Sequence, residues 1–204
     1  MRKITMLVLL FAVTICFGQS NIDQKKKVSI LFIGNSLTYY NNLPELVKQN
    51  AKEYGVRVNY DMVAKPNYAI VDHWAEGKVQ KLISKGKYDY VILQQGPSSQ
   101  NEGRQMLIES GKDYKRLCEE YNTQLCYYMV WPSRTYYHTY NGVIKNHKDA
   151  ATINEAILLP VGEVWKDYFD RTNDFQYYGP DGFHPSLAGS KRASKVIVKR
   201  LLEN

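Results

Sequence analysis

Along most of this 204-residue chain, short apolar runs suited to strands alternate with segments whose apolar residues recur at helical spacing. Val28–Ile33, Val56–Val63, Tyr88–Leu93 and Gln124–Trp131 read as strands, and Leu43–Tyr54, Asp72–Ser84 and Gln105–Tyr121 as the helices between them. Thr152–Leu159 begins helical and ends in a short fifth strand before Pro160. Leu187–Leu202 is an amphipathic helix with Ala193, Val196, Ile197 and Leu201 on one face. Strands joined through helices pair in parallel by right-handed crossovers. The pattern predicts an α/β fold, a three-layer α/β/α sandwich around a five-stranded parallel sheet, as one domain over residues 28–204.

The first stretch reads differently. Met1-Arg2-Lys3 is basic, Met6 to Cys16 is apolar, and Cys16-Phe17-Gly18 supplies small residues before a cleavage point. Residues 1–18 therefore read as a signal peptide, too short to span a membrane, followed by a flexible segment over 19–27. The expected product is secreted or periplasmic. A lipid anchor on Cys16 is disfavoured by the bulky Ile15 before it. Basic residues exceed acidic ones by 27 to 20, but they are spread along the chain and form no stripe for nucleic acid. Cys118 and Cys126, the two cysteines beyond the leader, leave two readings open: one disulfide, or two buried thiols.

With strand order 2-1-3-4-5, the order reverses between the first and third strands, and ligands of such sheets bind beyond the carboxyl ends there. The loops leaving those strands are Gly34–Asn42 and Gln94–Gly103. The first carries Ser36. A serine alcohol needs an adjacent base, itself oriented by a third group. Of four histidines, His73, His138 and His147 sit in settings that suit surface or packing roles. His184 lies in the Gly/Pro-rich stretch GPDGFHPSLAGS, with Asp181 three residues before it and Ser186 placed to cap the last helix.

Gly34-Asn35-Ser36-Leu37-Thr38 after the first strand, with Asp181-Gly182-Phe183-His184-Pro185 near the end, resembles the SGNH (GDSL-type) hydrolases. The likeness in element order covers nearly the whole chain after the leader. It implies a flavodoxin-like topology and ester hydrolysis without a cofactor or metal. Ser36 would be the nucleophile, His184 the base and then acid, and Asp181 the group that orients the ring. The chain departs from the family where an oxyanion hole is built. Asn67 or Pro66 stands near the usual glycine after the second strand. Alignment after the third strand puts Gly96 on the family glycine and Ser98 on the family asparagine. Gln94, Gln95 or Ser98 is the expected replacement donor, Gln95 or Ser98 foremost, beside backbone N–H groups at Ser36 and near Asn67; side chains alternate across a strand, so Gln94 and Gln95 should not both face the site.

Tyr39-Tyr40, Trp131, Tyr136-Tyr137 and Tyr177-Tyr178 fall in loops at this edge; they read either as packing for long loops or, with Trp131, as a stacking surface for sugar rings. The expected activity is an exported serine esterase acting on small-molecule or glycan esters, such as O-acetyl groups on carbohydrate. An acyltransferase with the same three residues is one alternative. A carbohydrate-binding protein of this fold without catalysis is the other.

Overall fold

A computed structural model describes residues 26–203; the leader expected over 1–18 and most of the segment expected over 19–27 lie outside the described residues. Lys27, assigned from sequence to the flexible segment, instead opens the first strand. The strands are β1 (Lys27–Gly34), β2 (Arg57–Ala64), β3 (Tyr90–Leu93), β4 (Gln124–Tyr128) and β5 (Ile157–Leu159), all parallel in the order β2-β1-β3-β4-β5. The helices are α1 (Ser36–Tyr39), α2 (Leu43–Glu53), α3 (Ile70–Ala75), α4 (Lys78–Ile83), α5 (Asn101–Glu120), α6 (Tyr140–Ile153), α7 (Val161–Thr172) and α8 (Leu187–Leu202).

Side chains alternate across a strand, so β1 feeds two cores at once. Val28, Ile30 and Phe32 join α2, α7 and α8 on one face; Leu31 and Ile33 join α3, α4, α5 and α6 on the other. Each such buried side chain contributes roughly 1.5–3 kcal/mol against exposure. Because β1 is covered on both faces it carries no polar residue from Ile30 to Ile33, whereas the edge strand β2 alternates with Asn59 and Asp61. Cys118 packs into the α5 core and Cys126 into the α2–α8 core, and both are free buried thiols. Burial pushes the Cys118 thiol up to about 12 and raises Cys126 as well, so both stay protonated and unreactive.

The differences from the sequence reading have local causes. The helix expected over 72–84 is two helices, because Gly77 adopts φ +70 and breaks the run. The fourth strand stops at Tyr128; Met129 still accepts from Gly162 N–H and donates to Leu159 O, outside the β4 ladder. Most of α6 and all of α7 were not anticipated. Among the described residues no helix is long and apolar enough to cross a membrane.

Candidate active site

The carboxyl ends of β1 and β3 lie side by side, since Ile33 pairs with Leu93, and the chain leaves both strands into the same cleft. Gly34 ends β1 for a steric reason. A Cβ there would lie 2.5 Å from Gln94 Oε1 and overlap Thr38 Oγ1. The missing side chain lets Gln94 Oε1 accept from Asn35 N–H and from Thr38 Oγ1, each at 2.8 Å. Asn35 then caps α1, its Oδ1 accepting from Leu37 N–H at 3.1 Å while its Nδ2 donates to Tyr68 O. Buried His73 closes the turn from below, its Nε2 2.7 Å from Gly34 O. Burial holds the His73 ring below its ordinary pKa, against the pull of that carbonyl, which suits a neutral N–H donor. Ser36 sits first in α1, half-buried at the mouth of β1.

Gly34→Ala is therefore expected to displace Gln94 and loosen the Ser36 turn. Overpacking at such a site costs about 1–3 kcal/mol, to be read from a denaturant unfolding midpoint.

The Asp181–His184 loop reaches this turn from the far end of the chain. His184 Nε2 lies 3.0 Å from Ser36 Oγ, and His184 Nδ1 lies 2.6 Å from Asp181 Oδ2. The other carboxylate oxygen accepts from the backbone N–H groups of Phe183 and His184, each at 2.9 Å. Partial burial pushes the Asp181 carboxyl up, but the bonds from the His184 ring and those two N–H groups outweigh it and hold it below its ordinary value. The loop is braced at several points: Trp131 Nε1 donates to Phe183 O, Arg134 N–H to Gly182 O, and Gly182 takes the left-handed conformation at φ +68.

Beside Ser36 opens a cleft of about 330 Å³, walled by Asn35, Asn67, Tyr68, Gln95, Pro97, Ser98, Met106 and Phe183 among others. None of its lining residues carries a charge. Pro66 and Asn67 occupy the middle of a turn closed by Tyr68 N–H on Lys65 O, and Asn67 takes φ 61. The backbone N–H groups of Ser36, Asn67 and Gly96 donate to nothing among the described residues.

The structure brings Ser36, His184, Asp181, Asn67, Gly96, Gln95 and Ser98 to one edge, but three expectations change. The side-chain hydrogens of Gln95 are taken up by Ser98 Oγ at 2.9 Å and Gly103 O at 3.4 Å, and the Ser98 hydroxyl donates to Gly96 O. Neither side chain offers a hydrogen to the cleft; together they stiffen the turn after β3. Trp131 is no stacking surface. It is fully buried, its ring stacked on Trp165 at 3.5 Å, and it holds the histidine loop from beneath. Tyr178 is likewise buried, its hydroxyl donating to Pro132 O. His147 is a packing residue as expected, buried with its pKa pushed down to about 4 by that burial, and His138 is exposed. Sequence reading missed the structural roles of Gln94 and His73. Gln94 directly follows β3, beside the glycine-ended β1, and that is the signal that could have found it; His73 lies within α3, 39 residues from the Gly34 carbonyl it meets, and its sequence neighbours carry no such signal.

No family model and no curated protein matches the sequence. Solved structures match its fold. A chain from Slackia heliotrinireducens assigned as an SGNH hydrolase is 20% identical with TM-score 0.70, over 86% of this chain and 100% of its own. The lipase/acylhydrolase of Enterococcus faecalis is 15% identical with TM-score 0.68, over 85% and 95%. A catalytic mutant of Axe2, an acetylxylan esterase from Geobacillus stearothermophilus, is 13% identical with TM-score 0.64, over 85% and 94%. The five-stranded parallel sheet with helices on both faces is the α/β fold of the SGNH hydrolases.

Proposed function

We propose that the protein is an exported serine esterase that removes short acyl groups, such as acetyl, from carbohydrate. The observation that carries the esterase reading is the run of contacts from Ser36 Oγ through the His184 ring to Asp181, in one line at the mouth of the cleft. Ser36 attacks the ester carbonyl as His184 Nε2 takes its proton. Asp181 holds the ring with its proton on Nδ1 and stabilises the imidazolium that forms. The negative oxygen is met by the unpartnered N–H groups of Ser36, Asn67 and Gly96. His184 returns the proton to the departing alcohol. Water then repeats the sequence on the acyl-enzyme, losing its proton to His184, and Ser36 is freed with its hydroxyl restored. Each oxyanion donor in such a site contributes about 2.7–4 kcal/mol to transition-state stabilisation, so a backbone-only hole suffices if two or three N–H groups converge.

The carbohydrate part rests on the cleft. It is small, uncharged and edged by amides and hydroxyls, which suits a hydroxyl-rich ester better than a long alkyl chain. The acetylxylan esterase among the structural matches supports the same class, and the leader expected over 1–18 supports export.

Esters of one alcohol with acyl chains of increasing length, followed by an acetylated oligosaccharide, test the reading. The expected order is acetyl first, with octanoyl at least about 10-fold lower in kcat/KM, because beside Pro97, Met106 and Phe183 the cleft carries amides and hydroxyls that a long alkyl chain would cover and leave unpaired. Equal or better use of the long chain would remove the carbohydrate reading. Sugar binding with no turnover of any ester would instead favour a binding protein, and transfer of the acyl group to an added sugar would favour an acyltransferase.

A further inference from the structure

The segment that carries the nucleophile does not end its work at Ser36. Four residues on, Tyr40 lays its ring against the His184 imidazole, with centroids 4.6 Å apart and planes 21° from parallel. The next residue, Asn41, donates from Nδ2 to Pro185 O at 2.9 Å and to Ser190 Oγ at 3.0 Å. Pro185 directly follows His184, and Ser190 lies in the first turns of α8. Ring and loop are thus each held from the serine's side of the site.

The backbone is bent to make this possible. Asn41 and Asn42 both adopt left-handed conformations, φ 51 and 54, in the few residues between α1 and α2. Asparagine tolerates that region better than other side chains, but two in succession cost free energy, and such conformations persist only where the surroundings impose them. A plain helix-to-helix connection needs neither. Tyr40 is 40% exposed, its hydroxyl bonds to nothing among the described residues, and it does not line the cleft. Neither general packing nor contact with a ligand in the cleft accounts for it. The ring's contact with His184 does.

We propose that Tyr40 is a positioning residue for His184 and that, with the Asn41 amide, it clamps the histidine to the nucleophile segment independently of Asp181. Asp181 fixes one ring nitrogen and Phe183 meets the ring at a steep angle, 68° between planes with centroids 5.2 Å apart, which leaves no flat contact to stop the imidazole tilting about the Cβ–Cγ bond and that hydrogen bond. A flat ring against its face removes the tilt. Asn41 sets the height of the loop, and so the Ser36–His184 separation. The assignment rests on the esterase reading above for its catalytic consequence, but the clamp itself has a readout that does not need turnover.

The test compares Tyr40→Leu, Tyr40→Phe and Asn41→Gly with wild type, by steady-state hydrolysis of a short acyl ester and by proton NMR of the Asp181–His184 hydrogen bond. Tyr40→Leu should lower kcat about 10- to 100-fold, the range for a reacting group misplaced by a fraction of an ångström to one ångström. KM should move by less than about 2-fold, because ground-state binding is untouched. Tyr40→Phe, which keeps the ring and loses only an unbonded hydroxyl, should restore kcat. The low-field Nδ1 proton of His184 should be sharp in wild type and Tyr40→Phe and broadened in Tyr40→Leu. Asn41→Gly keeps the left-handed backbone and removes only the amide, so it should fold and lose kcat in the same sense; it also serves if Tyr40→Leu does not fold. Wild-type kcat in both Tyr40→Leu and Asn41→Gly, or a rise in KM with kcat unchanged, would overturn the clamp. If wild type hydrolyses no ester, the esterase reading fails by itself, and the proton signal alone decides: unchanged in Tyr40→Leu, it overturns the clamp; broadened, it upholds it.

Discussion

Ser36→Ala is expected to abolish hydrolysis of short acyl esters and covalent labelling by a fluorophosphonate, while the protein stays folded. Alanine removes the attacking oxygen, and no other hydroxyl can replace it. Thr38 lies in the same turn, but it is buried and its hydroxyl donates to Gln94 Oε1. The change should leave stability within about 1 kcal/mol, because Ser36 is half-buried and the side-chain hydrogen bond its Oγ makes among the described residues is to His184. The N–H of residue 36 survives the substitution, so any residual rate reports what the oxyanion hole and binding supply without a nucleophile. Matched unfolding midpoints with activity below about one part in 10³ of wild type is the expected result. A folded variant that keeps most of its activity would remove Ser36 from the mechanism.

What could be read from the sequence followed the range over which each feature is determined. The β1 run, the glycine that ends it and the Asp181–His184 spacing are local, so their meaning survives without coordinates. Helices alternating with strands implied parallel pairing, and the order 2-1-3-4-5 that goes with the flavodoxin-like resemblance then placed Ser36 and Gln95 at one edge. Features that depend on a partner distant in sequence were lost. Trp131 looked available to a ligand because α7 had not been found, and α7 carries the Trp165 ring that covers it. That helix was hidden by its composition: it starts after Pro160 and has a glycine at its second position. Gly162 is there because a Cβ would run into the Val130 carbonyl, a contact between segments 32 residues apart. Likewise the choice between Gln94 and Gln95 turned on which way each side chain faces. Alternation said only that they differ; the bonds to Asn35, Thr38, Ser98 and Gly103 say what each does.

The same contacts separate the roles of His184 and Asp181, and the two substitutions should differ in size. His184→Ala removes the base, so Ser36 attacks as a neutral alcohol and the leaving alcohol departs without a proton; a loss of at least about 10⁴-fold in kcat is expected. Asp181→Asn keeps the shape but places an amide where the carboxylate met Nδ1–H, which favours the wrong tautomer. Its loss should be large yet smaller than that of His184→Ala, because Tyr40 and Asn41 still hold the ring and the loop. The pH behaviour follows from the carboxylate. Asp181 is held below its ordinary value in the fold, so its contribution to stability is complete above the unfolded carboxylate range, about pH 4, and is lost as pH falls through the lower folded value. Unfolding midpoints of wild type and Asp181→Asn from pH 7 down to about pH 3 check the sign, the wild type losing its margin over the variant as pH falls below about 4. If the gap between the two is the same at about pH 3 as at pH 7, the contacts from the His184 ring and the loop N–H groups do not hold the Asp181 carboxyl down, and its assigned role in orienting the ring loses its support.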